Sequence, residues 1–491
     1  MRAAPWAVLD ALATALYGLI FLLVVGLFVG PANLGLASTA LAFVLLMDAV
    51  ASAWMQDVII RLPSAETRQT DAAQSLAVGL SFVGMPIVWG LAYGYGTLFS
   101  EPDLPPLAIF ASLILPLNAV AVVPTAMLIR KMRGPQLLYR PVIGKILGIL
   151  ALTVFAWMGA QAWAVVAGSV FTSLGGALAL FIAATRWPKL RWNTNVARAH
   201  LRFGLFSGSD NLLWMVSGRL LTLSFASAFG MRALGYLQLA MRLVDEISRL
   251  LQSIMMRYAL ALFASYKRAS SSDGHAETGR ALILTTRLMN ALGAPAFIGI
   301  ATVGDLFVER LFGEKWQASA FFIQVLAVAA SLTFARLLVS PALKAVNRPD
   351  LVAFAATANF LTALAVIAAT AFADARLLVI LWGAREIVAL IIWYRLAHGA
   401  LGVRYRDLIG ALVPTWASGL LMAAVLLLLR QTLAPDHTTI DLAALIGSGA
   451  LVYGASLFAC ERKWALDFLR ARHRSKAITD GAIKAELKEQ V

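Results

Sequence analysis

The sequence predicts an all-α integral membrane protein with about 14 transmembrane helices in two pseudo-symmetric lobes around a central cavity. The composition is the first observation behind this prediction. The 491 residues are 60% hydrophobic and only 14% charged, whereas about 25% of the residues in a soluble domain are charged. The other two observations are long apolar segments separated by basic loops, and a short motif that repeats after 200 residues.

The apolar segments are long enough to be membrane helices. A helix of about 20 mostly apolar residues crosses the hydrocarbon core of a bilayer. Because backbone groups must be paired inside lipid, such long continuous runs predict helices and not barrel strands. The predicted spans are 6–29, 34–60, 72–99, 106–129, 139–159, 162–185, 203–228, 234–264, 279–304, 317–341, 351–371, 376–397, 408–430 and 438–460.

The distribution of Lys and Arg predicts the orientation of these spans. With the amino terminus in the cytoplasm, 29 of the 41 basic residues lie in cytoplasmic segments and 5 lie in outer loops. Cytoplasmic loops of membrane proteins carry such an excess of Lys and Arg. We therefore expect both termini in the cytoplasm. The net charge of +15 is then explained without a nucleic-acid partner.

A short internal repeat divides the chain into two halves that begin on the same side of the membrane. Segment 28–43, FVGPANLGLASTALAF, aligns with segment 228–243, AFGMRALGYLQLAMRL. A parallel repeat of this kind is typical of transporters. The aligned pairs are Gly30 with Gly230, Leu34 with Leu234 and Gly35 with Gly235. In each half, the glycines predict a tight outer turn between the first two helices. The predicted units are an amino-terminal lobe of helices 1–6 at 1–200, a carboxy-terminal lobe of helices 7–12 at 201–400, extra helices 13–14 at 401–460 and a cytoplasmic basic tail at 461–491.

The eighth predicted span carries charges that a lipid-facing helix would not tolerate. Its stretch AMRLVDEISRLLQSIMMR contains Arg242, Asp245, Glu246, Arg249 and Arg257. Residues three or four positions apart share one face of a helix. Since a charge at the bilayer centre costs at least about 2.5 kcal/mol, we expect this charged ridge to face water. The alternative, an amphipathic helix on the membrane surface, would place the later basic loops outside.

Arginines inside the spans of the second half predict an anion-binding site. Guanidinium groups stay charged and bind phosphate oxygens bidentately. Arg287 and Arg336, like Arg257, lie near the cytoplasmic ends of their spans, from where long side chains can also reach the membrane surface. The candidate substrate-binding residues are Arg219, Arg242, Arg249 and Arg385, with structural ion pairing as the alternative role.

Carboxylates inside the spans are candidate ion-coupling groups. The spans of the first half hold Asp10, Asp48 and Asp57 but no deep Lys or Arg. Asp48 lies mid-span with no basic residue near it in the sequence, so we expect it either to be protonated because of burial or to bind a coupling ion. The candidate coupling residues are Asp48, Asp57 and Glu246.

Sequence motifs of several enzyme classes and of ATP-driven pumps are absent. The chain contains no G-x-x-x-x-G-K-[ST], H-E-x-x-H or G-x-S-x-G motif. Its single cysteine, Cys460, excludes an intramolecular disulfide and a cysteine-based metal cluster. We therefore expect no catalytic residues, no metal and no cofactor. The driving force is then an ion gradient, the membrane potential or the substrate gradient.

Three segments resemble the polysaccharide transporter family, the Wzx-type lipid-linked oligosaccharide flippases of the multidrug/oligosaccharidyl-lipid/polysaccharide exporter superfamily. They are residues 228–268, residues 311–351 with Gly313, Trp316 and the Asn347-Arg348 turn, and the first hairpin at 28–50. The resemblance implies translocation of undecaprenyl-diphosphate-linked repeat units from the inner to the outer leaflet of the bacterial inner membrane. The products would be exopolysaccharide, O-antigen or capsule. The implied partners are membrane lipids, a polysaccharide polymerase and a chain-length regulator.

Three other functions are consistent with some of these features. A multidrug or cation antiporter of the same superfamily would share the fold, but the excess of intramembrane arginine disfavours a cationic substrate. A membrane polysaccharide polymerase or ligase would need a long external loop, which the predicted topology lacks. A structural subunit of an envelope complex would tolerate changes to the charged ridge without loss of polysaccharide.

Overall fold

The computed structural model describes residues 4–49, 54–61, 67–131, 134–183, 187–194, 209–269, 274–433 and 441–461. Within these ranges it excludes the side chains of 4–13, 15, 54, 57–58, 61, 134–135, 209–211, 253–269, 274 and 432–433. Three of the charged residues in the predicted spans, Asp10, Asp57 and Arg257, therefore have side chains outside the described set. The tail 462–491 also lies outside it.

The described residues form helices joined by short turns, which confirms the predicted fold class. The helices are α1 (Ala4–Phe28), α2 (Pro31–Asp48), α3 (Trp54–Arg61), α4 (Thr67–Leu98), α5 (Leu104–Ala111), α6 (Ile114–Arg130), α7 (Gly134–Trp157), α8 (Ala162–Ala183), α9 (Ser209–Ala269), α10 (Gly274–Phe312), α11 (Ser319–Arg336), α12 (Val339–Ala345), α13 (Pro349–Ala368), α14 (Ala375–Leu401), α15 (Tyr405–Leu433) and α16 (Asp441–Glu461). Single 3-10 turns lie at Glu314–Trp316 and Ala369–Ala371.

The helices are those of a multi-pass membrane protein. In the described part of the chain, 12 helices are long and apolar enough to cross a membrane. Large hydrophobic side chains such as Ile182 and Leu451 are 76% exposed, as expected for a surface that contacts lipid. Helix α1 has 25 residues and is not among the 12, since the part of it with described side chains forms only the shorter apolar segment Leu16–Phe28. The count of about 14 spans therefore stays a prediction.

Helix α9 combines the seventh and eighth predicted spans. Its backbone is helical except at Gly230, where φ is 80° and ψ is 168°. A positive φ is accessible to glycine without steric cost, so Gly230 separates a first arm, 209–229, from a second arm, 231–269. This break is the glycine turn that the sequence predicts between the first two helices of the second half.

The two halves contact each other through the repeated motif itself. A Cβ atom placed on Gly35 would lie 1.8 Å from the carbonyl oxygen of Met231, and one placed on Gly235 would lie 1.8 Å from the carbonyl oxygen of Pro31. Each contact is converted into the other by the 200-residue shift of the repeat. Because neither glycine has a side chain, the backbones of α2 and of the second arm of α9 touch where the two helices cross. The two equivalent contacts are related by a pseudo-two-fold axis.

Further contacts between the halves lie at the same end of the bundle, which we call the turn end because it carries Gly30 and Gly230. Trp316 donates its indole N–H to the carbonyl oxygen of Gly26 at 3.0 Å. Lys315 donates from Nζ to the carbonyl oxygen of Leu27 at 2.9 Å. Two polar contacts and the glycine crossing thus fasten the first half to the second at this end.

The last two helices pack on α10. Arg430 of α15 pairs with Asp305 of α10 at 2.8 Å, and the hydroxyl of Tyr453 on α16 donates to the carbonyl oxygen of Ala291 at 2.9 Å. Leu426 and Leu445 are buried in an apolar cluster with residues of α10. Helices α15 and α16 therefore extend the second half. They pack on α10, whereas the charged ridge belongs to α9.

Candidate anion-binding site

The charged ridge lies on the second arm of α9, and part of it is accessible. Asp245 is exposed, and 54% of the Arg249 side chain is exposed. Glu246 is oriented inward, with only 8% of its side chain exposed. Nη2 of Arg249 donates to Oε1 of Glu246 at 2.8 Å, as the helical spacing of three residues allows.

Helix α1 of the first half covers the other face of the ridge. The Arg242 guanidinium carbon lies 3.3 Å from the ring centroid of Phe21, a short cation–π contact. The hydroxyl of Tyr17 lies close to the same guanidinium. A Cβ on Gly18 would lie 2.3 Å from Cδ of Glu246, so the carboxylate packs directly against the α1 backbone. The candidate site is therefore formed by both halves.

Two atoms of this cluster are buried without a hydrogen-bond partner. They are Nε of Arg242 and Oε2 of Glu246. A buried polar atom left unpaired costs about 1–3 kcal/mol, so a ligand that supplies an acceptor to Arg242 would recover free energy. The hydrogen-bonding capacity of the cluster is thus only partly used by the side chains around it.

Arg219, on the first arm of α9, completes the cluster. The charges that act on it come from Asp245 and Arg242. Arg219, Arg242 and Arg249 therefore lie within electrostatic range of the carboxylates Asp245 and Glu246, and three formal positive charges stand against two negative ones. The structure thus brings together three of the four arginines that the sequence predicts to bind substrate.

Arg385 does not join them. Its Nη2 donates to Oε1 of Glu386 at 3.0 Å, and its guanidinium carbon lies 3.7 Å from the Trp382 ring centroid. Glu386 also binds Nη2 of Arg336 at 2.5 Å and the hydroxyl of Thr333 at 3.0 Å. Only 12% of the Arg385 side chain is exposed. Arg385 and Arg336 are therefore held in a separate ion-pair cluster, because one buried carboxylate of α14 binds both.

Asp48 has a polar environment that the sequence did not reveal. Nδ2 of Asn118 donates to Oδ2 of Asp48 at 3.1 Å. Arg140 of α7 also acts electrostatically on Asp48, and its Nη1 donates to Oγ1 of Thr125 at 2.9 Å. Asp48 therefore has a basic neighbour in space, although no basic residue lies near it in the sequence. Arg140 lies near the start of its helix, but its long side chain reaches inward to α6.

Sequence reasoning also missed the α1 face with Tyr17 and Phe21. Aromatic residues four positions apart on an apolar helix have the pattern of ordinary core residues, and no charge marked them as part of a site. Among the side chains that the structure describes, no group of three or more His, Cys, Asp or Glu residues could hold a metal ion.

Comparisons with known proteins identify the family. A family model described as polysaccharide biosynthesis protein matches residues 24–321, which include Arg219, Arg242 and Arg249. The chain is 24% identical over 340 residues to the lipopolysaccharide biosynthesis protein WzxC of Escherichia coli K12, over 67% of this chain and 66% of that protein. It is 27% identical over 208 residues to the teichuronic acid biosynthesis protein TuaB of Bacillus subtilis 168, over 42% of this chain and 41% of that protein.

Solved structures have the same fold at low sequence identity. The lipid II flippase MurJ in an inward closed conformation has a TM-score of 0.70 at 12% identity, over 93% of this chain and 100% of that one. An inward-facing multidrug resistance MATE transporter of the MOP superfamily has a TM-score of 0.61 at 15% identity, over 79% of this chain and 94% of that one. The chain therefore belongs to the polysaccharide biosynthesis protein family and shares its fold with these two solved structures.

Proposed function

We propose that the chain is a flippase for undecaprenyl-diphosphate-linked oligosaccharide repeat units. It moves them from the cytoplasmic to the periplasmic leaflet of the bacterial inner membrane for exopolysaccharide, O-antigen or capsule synthesis. The observation that carries the proposal is the cluster of Arg219, Arg242 and Arg249, which has an excess positive charge and lies between the two halves. Family membership supports the same pathway.

The cluster has the chemistry that a lipid diphosphate requires. Arginine binds phosphate oxygens through two parallel N–H groups. The exposed guanidinium of Arg249 provides the first contact, and Arg242 has a buried N–H without an acceptor. In this proposal the diphosphate binds the arginines, the sugars occupy a hydrated central cavity and the prenyl chain stays in lipid.

Transport then follows from movement of the two halves. The excess of Lys and Arg in alternate loops assigns the turn end to the periplasm and both termini to the cytoplasm. Because the halves are fastened at the turn end, this arrangement corresponds to closure on the periplasmic side. The lobes at 1–200 and 201–400 rock about this contact, while 401–460 adds two helices and 461–491 a basic tail. Polymerase and chain-length regulator act on the product.

The antiporter alternative is less consistent with the site. A cationic drug would meet three arginines at the interface of the halves, and their charge exceeds that of the neighbouring carboxylates. A cationic drug and these arginines would repel each other, more strongly where protein replaces water. Substrate-dependent cation efflux from cells that express the chain would favour that alternative.

Loss of the site arginines should stop export of the repeat unit. In a deletion strain complemented with Arg242→Ala or Arg249→Ala, we expect lipid-linked repeat units to accumulate on the cytoplasmic side. Removing one charge-assisted contact to phosphate costs about 1.5–3 kcal/mol, which is about a 10- to 150-fold loss of rate. Surface polysaccharide and extracted lipid-linked intermediates are the measurements.

The matched control is Arg348→Ala, because Arg348 pairs with Asp350 at the surface and 47% of its side chain is exposed. This variant should export normally. Undiminished surface polysaccharide in a strain that lacks both Arg242 and Arg249 would exclude the cluster as the substrate site.

Asp48, Asp57 and Glu246 remain the proposed ion-coupling residues, and Asp48 is the one to test first because Asn118 and Arg140 act on its carboxylate. We expect Asp48→Asn to allow transport down a substrate gradient but to abolish its acceleration by an imposed proton or sodium gradient. The reason is that the neutral amide, in the position next to Asn118 and Arg140, can no longer take up and release a proton or a sodium ion. Reconstituted vesicles with and without each gradient provide the measurement, with Asp350→Asn as control. An unchanged gradient response would exclude this role.

A further inference from the structure

Glu246 occupies the space that a shared ligand of Arg242 and Arg249 would need. The two arginines are seven positions apart, which is about 10 Å along a helix, and Glu246 lies within one turn of each. Its Oε1 accepts from Arg249 at 2.8 Å, the distance at which a phosphate oxygen would bind. A diphosphate that bridges both arginines therefore cannot bind while this carboxylate keeps its position.

The position of Glu246 depends on the first half of the molecule. Oε2 of Glu246 would lie 2.5 Å from a Cβ on Gly18, so the carboxylate is confined between α1 and Arg249. That same oxygen is buried without a hydrogen-bond partner. Glu246 is thus held by one strong contact and by the nearby backbone of the opposite half, an arrangement that a movement of α1 would release.

We propose that Glu246 is a built-in competitor that holds Arg249 when no diphosphate is bound and is displaced by it. This inference rests on the proposed function of the cluster as a diphosphate site. Without a counter-charge, the arginines of the ridge would be costly inside the membrane, and Glu246 provides that charge. After the halves move, its return to Arg249 speeds release of the product.

If Glu246 is such a competitor, replacing it should have opposite effects on diphosphate binding and on transport. Glu246→Gln should bind a diphosphate more tightly than the unmodified protein and yet transport more slowly, because binding no longer requires displacement and release is no longer assisted. We expect the dissociation constant to fall about tenfold, which corresponds to about 1.4 kcal/mol. A purely structural role for Glu246 would weaken binding and transport together.

The experiment uses the purified full chain in lipid nanodiscs, with inorganic pyrophosphate and geranylgeranyl diphosphate as probes. Dissociation constants are measured for the unmodified protein, Glu246→Gln, Arg249→Ala and the double variant. In the Arg249→Ala background the Gln substitution should give a much smaller gain, since the contact that it frees is gone. Asp245→Asn removes an equal charge from the exposed neighbour and should also give a clearly smaller gain.

The outcomes separate the two proposals. If the unmodified protein binds neither probe, the proposed diphosphate site fails. If it binds them but Glu246→Gln binds no more tightly, or if Asp245→Asn has an equal effect, the competitor is excluded and the site remains. Should Glu246→Gln fail to fold, Glu246→Asp decides by the same criterion, because it keeps the charge but shortens the reach to Arg249 by one methylene.

Discussion

Replacing Gly235 with leucine should abolish transport although the protein still inserts into the membrane. The Cβ of any larger residue would lie 1.8 Å from the carbonyl oxygen of Pro31, so α2 and the second arm of α9 must separate at the turn end. Overpacking costs about 1–3 kcal/mol, and such a penalty shifts the equilibrium between two states about 5- to 150-fold. We therefore expect the turn end to stay open.

The measurement combines surface polysaccharide with labelling of cysteines placed near the site in a variant that lacks Cys460. Gly35→Leu should have the same effect, because the contact is repeated about the pseudo-two-fold axis. The matched control is Gly90→Leu, since Gly90 is also a helical glycine but has no neighbour within 4 Å of an added Cβ. Normal export by Gly235→Leu would show that transport does not require close contact between α2 and the second arm of α9.

Replacing Glu386 with glutamine should destabilise the protein more than any other single charge substitution considered above. Glu386 is the shared partner of Arg336 and Arg385, and 9% of its side chain is exposed. Removing one partner of a buried ion pair costs about 3–5 kcal/mol, because the remaining charge is left uncompensated. We expect a lower yield of folded protein and a lower unfolding temperature in detergent.

Asp350→Asn is the control for this second prediction, because Asp350 pairs with Arg348 at an exposed position and its loss should not measurably change stability. The same experiment tests the sequence-based prediction that Arg385 binds substrate. If Glu386→Gln keeps normal stability but loses transport, the ion-pair cluster takes part in function, and Arg385 belongs to the transport machinery after all.

Some of the candidate site could be predicted from the sequence because local spacing determines it. Arg242, Glu246 and Arg249 share one face of any helix, so their proximity needed no tertiary information. The repeat also predicted Gly230 as a turn, and the backbone there has the positive φ that favours glycine. The partners of Glu386 and Asp48 were different, because Arg336 and Arg140 are about 50 and 90 residues away from them in sequence.

The sequence by itself determined a helical membrane protein with a duplicated motif and a charged ridge, since apolar length, glycine position and helical period are local properties of the chain. Only the tertiary structure decided that Gly35 and Gly235 contact the backbone of the opposite half, that Tyr17 and Phe21 cover Arg242, and that Arg385 shares Glu386 with Arg336 in a separate cluster. The physical reason is that such contacts depend on how helices distant in sequence pack, and a run of apolar residues does not specify its neighbours.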